Sequence, residues 1–302
     1  MIIVAHSNGM FGIYKWAYDL NIEQIRQIIT GAKMLTTIDD SFVDNHLRIA
    51  IGSSCGKLLY YSIDDLIEEC QQSDNSVQSI ITDDSSPIWC LKMIHFKIIE
   101  SKIEQNLIFT GSEDSIWRII ACNSQKLTEL FKNCDSSSGV TSIELFRMNQ
   151  IDSKIISIIL LVGSYDEYLR IYSIDLEFDH IADTKILRCG LQQKIHIEGG
   201  GIWRIRANNI DKFTNDKNII LISAMHAGAY WLTLEIPGEH DHDHHLNINY
   251  KMNKFYIGNL NDYPMDKDPR HLVYGIASNH DQSRILIASF YAKKSFLYRI
   301  PP

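Results

Sequence analysis

At 302 residues the chain is long enough for two ordinary domains or one large all-β domain. Hydrophobic residues make up 45% and charged residues 22%, the balance of a globular protein with a full core. Asp and Glu together number 37 against 29 Lys and Arg, a net charge of −8, which argues against nucleic acid as a main partner because phosphate binding needs a basic face.

One pattern recurs along the chain: apolar residues, a small residue, a polar turn, then alternating apolar residues. In order it reads VAHSNGMFGIY from Val4, AIGSSCGKLLYY from Ala50, FTGSEDSIWRII from Phe109, LVGSYDEYLRIY from Leu161, ISAMHAGAYWLTL from Ile222 and IASFYAKKSFLYR from Ile287. With Ala5, Gly52, Gly111, Gly163, Ala224 and Ala288 as markers, successive copies lie 47 to 64 residues apart. Each copy predicts a β-hairpin, two alternating strands around a turn of Gly, Asp or Asn. Upstream of four copies lies one more short apolar segment: SSPIWCLKMIHF from Ser85, SSGVTSIELFRM from Ser137, GGGIWRIRAN from Gly199 and HLVYGIASN from His271. That segment, the hairpin and a variable outer strand make the four-stranded blade of a β-propeller. LNIEQIRQIITGAKM from Leu20 is the best helical stretch, yet its β-branched residues place it with the strands too.

The reading is therefore all-β, a WD-repeat β-propeller formed by residues 1–302 as one domain, with six recognisable blade hairpins. The first copy has no room for an inner strand before it, and the last has no outer strand after it. Since a ring closes by pairing strands from both termini, the expectation is a seven-bladed architecture lacking its N-terminal blade. The insert NNIDKFTNDKN from Asn208 reads as a surface loop.

Cys55, Cys70, Cys90, Cys122, Cys134 and Cys189 contain no CxxC pair, so reduced thiols in a cytoplasmic protein are expected. The start MIIVAHSNGM has neither the basic residues nor the apolar run of a leader. The longest apolar run, IISIILLVG from Ile155, is strand-length and far short of a membrane span. The tract EHDHDHH from Glu239 places four histidines within six residues, but a fixed metal site needs ligands held by structure, and no metal is expected.

Five stretches of the second half, in order, carry a further resemblance: VGSYDEYLRIYSID from Val162, GGGIWRIRAN, SAMHAGAYWL from Ser223, HLVYGIAS from His271 and ILIASFY from Ile285. Together they resemble the WD-repeat diphthine methyl ester hydrolases of diphthamide biosynthesis, over roughly residues 139–300. The resemblance implies a carboxylic-ester hydrolase without a cofactor. It would remove the methyl ester from diphthine methyl ester, the modified histidine of translation elongation factor 2. With the charge, the apolar run lengths and the cysteines, the expectation is a cytoplasmic monomer that binds neither nucleic acid nor membrane. Two departures stand out: Ala292, Lys293 and Lys294 follow Tyr291 where relatives commonly place an acid, and no Trp-Asp dipeptide occurs.

Ester hydrolysis needs an activated water or nucleophile and donors aimed at the developing oxyanion. His226, in the turn of AMHAG, is the candidate base. Asp166 and Glu167 are candidates to orient it or act as bases, and Arg204 to steady an oxyanion or carboxylate. Trp203, Tyr165, Tyr274 and Tyr291 are candidate walls for a trimethylammonium group, and Gly200 and Gly201 a candidate pocket floor. The bland reading of Asp166 is a turn-binding carboxylate, that of Trp203 core filling, and that of the glycines a strained connection. Trp203 and Arg204 alternate on a strand, so both can line one surface only where that strand ends. The absence of a GxSxG elbow excludes an α/β-hydrolase mechanism. The competing function is a non-catalytic scaffold for protein–protein interaction.

Overall fold

The computed structural model describes residues 2–16, 22–43, 46–62, 78–81, 85–98, 103–122, 126–178, 184–207, 219–236, 248–255, 272–279, 283–289 and 293–299. These form 22 strands in six antiparallel sheets, each a meander of strands consecutive in sequence. The fold is all-β, a propeller of six blades. Contacts divide the chain into two compact units, Met1–Val140 with Phe178–Lys185, and Thr141–Glu177 with Ile186–Pro302.

The first unit holds three sheets. Sheet one is β1 (Ile2–Ala5), β2 (Met10–Trp16) and β3 (Ile22–Ile29); sheet two is β4 (Leu35–Val43), β5 (His46–Ser53), β6 (Lys57–Ser62) and β7 (Gln78–Ile81). Sheet three is β8 (Ile88–Ile98), β9 (Ile103–Ser112), β10 (Trp117–Cys122) and β11 (Leu127–Asn133). The stretch with the best helical pattern is strand β3, where Ile22, Ile28 and Ile29 favour an extended backbone over a helix.

The second unit holds nearly all of sheet four, made of β12 (Val140–Gln150), β13 (Ile155–Ser164), β14 (Tyr168–Phe178) and β15 (Thr184–His196). Sheet five follows with β16 (Arg204–Ala207), β17 (Ile219–Ala224), β18 (Gly228–Glu235) and β19 (Asn249–Phe255), and sheet six with β20 (Val273–Ser278), β21 (Arg284–Ser289) and β22 (Lys294–Arg299). Each segment expected ahead of a hairpin is the first strand of its sheet: β8, β12, β16 and β20. The first and last sheets show three strands among the described residues, the others four.

Middle strands read as continuous apolar runs because each serves two cores. In β5 and β6, Ile49, Ile51, Leu59 and Tyr61 enter one cluster with Phe11 and Ile13, while Ala50, Leu58 and Tyr60 enter another with Ile88 and Ile108. In β17 and β18, Ile220, Ile222, Leu232 and Leu234 pack with Leu161 and Ile171, whereas Leu221 and Ala229 face Val273 and Ile285. Alternation along a strand sends neighbours to opposite faces, so a strand buried on both sides must be apolar throughout. Each fully buried Ile or Leu contributes on the order of 1.5–3 kcal/mol.

The hairpins share one feature. A left-handed residue stands at or just before the second strand of each: Gly9 (φ 79°), Gly56 (φ 73°), Ser115 (φ 67°), Glu167 (φ 68°), Gly228 (φ 93°) and Lys293 (φ 49°). In four of them this residue's N–H donates to the carbonyl three residues back, at 3.2 to 3.3 Å. Two turns carry the same buried brace. Arg170 Nη1 donates to Asp166 Oδ1 (3.0 Å) and Nη2 to Oδ2, while Tyr168 N donates to Asp166 Oδ1 (3.3 Å). In the sister turn Arg118 Nη2 pairs with Asp114, and Ile116 N donates to Asp114 Oδ1 (2.9 Å). Both arginines are 1% exposed.

Removing one member of a buried ion pair strands the other charge, which costs about 3–5 kcal/mol. Asp166→Ala is expected to lose about that much stability in urea unfolding, and Asp114→Ala less, because Arg118 keeps Glu129 Oε2 at 3.3 Å from its Nε. A loss below about 1 kcal/mol at Asp166 would show that its arginine finds water instead.

Candidate functional site

The connection from β15 to β16 runs along the tip of the β13–β14 hairpin. Ile197 N donates to Glu167 O (2.8 Å) and Ile202 N to Ser164 O (3.0 Å); Trp203 N then donates to Ser223 O (2.8 Å) and the chain joins its own sheet. Gly199, Gly200 and Gly201 lie between these anchors, and each glycine meets a different constraint. Gly199 has φ 85° with open space where a Cβ would stand. A Cβ on Gly200 would lie 2.1 Å from Ala224 O and 2.6 Å from Ala227 N, in the β17–β18 turn. On Gly201 it would lie 2.9 Å from the Tyr165 Cα. The strap is wedged between two hairpin tips, one carrying Tyr165, Asp166 and Glu167, the other His226.

Trp203 follows the strap and sits one residue ahead of β16, where strand alternation no longer separates it from Arg204. The Arg204 guanidinium carbon lies 5.5 Å from the centroid of the Trp203 ring system, and its Nη1 is held by the carbonyls of Thr141 (3.2 Å) and Trp203 (3.4 Å). Tyr165 packs on the same tryptophan at 5.9 Å, inclined 38°, and Tyr274 meets it edge-on at 5.0 Å and 87°. Three successive sheets thus each give one aromatic residue to a corner centred on Trp203. Backbone bonds hold the third member: Val273 N donates to Met225 O (3.0 Å), and Ser223 Oγ donates to Tyr274 O (3.3 Å). Tyr165, Trp203 and Tyr274 are all partly buried residues.

The remaining expected residues separate. Asp166 is committed to Arg170 and to its own turn, so the turn-binding role describes its contacts and the expected role as base or orienter of His226 does not. Glu167 turns to His196, with Oε2 3.1 Å from Nε2, and not to His226. His226 is exposed in the tight turn closed by Ala227 N to Ala224 O (2.7 Å) and Gly228 N to Met225 O (3.2 Å). Two backbone contacts bring that turn to the corner, the close approach of Gly200 and the bond from Val273 N to Met225 O (3.0 Å). Tyr291, the loop from Asn208 and the tract from Glu239 lie outside the described residues. No group of three or more His, Cys, Asp or Glu able to hold a metal ion occurs among the described residues, and none of their helices is long and apolar enough to cross a membrane.

Sequence reading missed His196 and its neighbours. Its ring stacks on Tyr168 at 4.9 Å and 31°, and the Lys194 ammonium lies 3.7 Å from the Tyr168 centroid. The signal was available: QKIH at the end of β15 alternates Lys194 and His196 outward around buried Ile195.

No protein-family model matches the sequence, and no curated protein matches it. Solved structures do. Sqt1 of Chaetomium thermophilum, bound to the N-terminus of ribosomal protein L10, superposes with a TM-score of 0.62 at 12% identity, over 99% of this chain and 67% of that one. Sqt1 of Saccharomyces cerevisiae gives 0.56 at 11% identity, over 99% and 68%. A chain of the mitotic checkpoint complex gives 0.57 at 11% identity, over 99% and 70%. At such identities the likeness is one of fold: this chain spans about two thirds of each of these propeller chains.

The strap yields a paired expectation. Gly200→Ala drives a Cβ into backbone and is expected to cost more than about 3 kcal/mol, whereas Gly199→Ala meets only the left-handed penalty of about 1–2 kcal/mol. Equal small losses at the two positions in urea titrations would mean that the hairpin tips yield.

Proposed function

We propose that this propeller recognises a protein partner at the Trp203 corner, and that the group received there is a quaternary ammonium on a modified side chain. The observation that carries the reading is the convergence of Tyr165, Trp203 and Tyr274, three partly buried residues from three successive sheets. Aromatic faces attract cations through the ring quadrupole, and a methylated ammonium loses little hydration on contact with them. Recognition of protein is in keeping with a propeller of the same fold bound to the N-terminus of a ribosomal protein.

The finer reading joins this corner to the resemblance carried by GSYDE, GGGIWR, AMHAG, HLVYGIAS and ILIASFY. It makes the partner elongation factor 2 in the cytoplasm, and the reaction hydrolysis of diphthine methyl ester: water adds to the ester carbonyl, the carbon–methoxy bond breaks, and methanol leaves behind a carboxylate and a proton. Arg204, whose Nη1 is anchored by two carbonyls beside Trp203, sets its positive charge beside the carbonyl oxygen as that oxygen gains charge. Protein recognition without turnover is the second reading, favoured by the commitment of Asp166 to Arg170 and of Glu167 to His196, neither of which orients His226.

Purified protein mixed with elongation factor 2 in its methyl ester form separates the readings. Binding with loss of one methyl group by mass spectrometry supports the hydrolase; binding without mass change supports recognition alone; no binding ends both. Trp203→Leu keeps apolar bulk but removes the ring quadrupole, and is expected to weaken binding by about 2 kcal/mol, roughly 30-fold in Kd. Unchanged affinity would place the ammonium elsewhere.

A further inference from the structure

We infer that Glu167 and His196 form the acid–base dyad of this site, with His196 as the catalytic base that activates water and Glu167 as its positioning residue. The inference rests on the hydrolase reading above.

Glu167 Oε2 lies 3.1 Å from His196 Nε2, and both side chains reach solvent, being 37% and 48% exposed. A carboxylate accepting the Nε2 proton fixes the tautomer in which Nδ1 carries a lone pair. The ring is held in place by its stack on Tyr168 (4.9 Å), whose face is also approached by the Lys194 ammonium (3.7 Å) and the Arg170 guanidinium (5.6 Å). The result is an oriented imidazole with an available nitrogen.

Its place relative to the aromatic corner is set by one turn. Ile197, the residue after His196, is bonded to Glu167 O; Ile202, the residue before Trp203, is bonded to Ser164 O. Dyad and corner therefore stand at the two ends of the turn Ser164–Glu167, whose end Cα atoms are within about 7 Å of each other in any β-turn. Ester and ammonium belong to one modified side chain, so an ammonium on Trp203 brings its ester toward that turn.

Backbone conformation is compatible with the same assignment. Glu167 occupies the left-handed position that Gly9, Gly56 and Gly228 fill in other turns of this chain, and that Ser115 and Lys293 also take. An L-residue there is strained, and a half-exposed Glu–His pair returns little stability in compensation. What sets Glu167 apart from Ser115 and Lys293 is its pairing with a solvent-facing histidine. The sister position, Ser115 (φ 67°), shows that the turn itself has no need of a carboxylate.

The step balances without a further reagent. His196 Nδ1 takes a proton from water as the oxygen bonds to the ester carbon. The tetrahedral intermediate expels methoxide, which takes that proton from the imidazolium and leaves as methanol. The new acid gives its proton to solvent.

The test measures methyl loss from elongation factor 2 in its methyl ester form, with binding followed in parallel. His196→Ala is expected to lower kcat by roughly 10²–10⁴-fold with Kd changed less than about threefold, and added imidazole is expected to restore part of the rate. Glu167→Gly places glycine where the backbone prefers it, so its Tm is expected to equal or exceed that of the parent while kcat falls at least about tenfold. Parent-like kcat in both variants, with an active parent protein, overturns the dyad and leaves the hydrolase reading standing. An inactive parent protein overturns the hydrolase reading and the dyad with it.

Discussion

The close passage of Gly200 and Gly201 between two hairpin tips is the constraint on which the site depends. Backbone can run that near to the Ala224 carbonyl and the Tyr165 Cα only where no Cβ intervenes. Because it does, the strap reaches the bonds that set Trp203 at the mouth of sheet five, with Tyr165 on one side and Tyr274 on the other. The glycines are thus packing residues first. They decide which turns become neighbours, and the aromatic corner follows from that choice.

The two acids of SYDE illustrate how one turn divides labour. Asp166 points inward, saturated by Arg170 and by the turn's own N–H groups, and its sister Asp114 does the same for Arg118. Glu167, one residue later and left-handed, points to His196 at the surface. Adjacent carboxylates of similar chemistry acquire an architectural and an exposed role from backbone conformation alone.

Fold was largely legible in the sequence because its signals are local. Alternation, turn residues and the recurrence of a small residue before each turn are properties of a dozen neighbouring positions, and all six hairpins follow from them. The site was legible in part. Trp203, Tyr165 and Tyr274 were named from residue type and resemblance, but which rings meet is decided by contacts spanning 38 positions, from Tyr165 to Trp203, and 71, from Trp203 to Tyr274. Partner choice by Glu167 was not legible at all: His196 and His226 were equally available in sequence, and only the course of the strap selects between them.

Every sheet is a meander, each strand bonded to the one made just before it. Such an order asks nothing of distant sequence to complete a ladder, so loop-closure entropy within a blade stays small. A ribosome delivering this chain would release one closed hairpin per repeat, and the slow events of its folding would be the later docking of finished blades on one another.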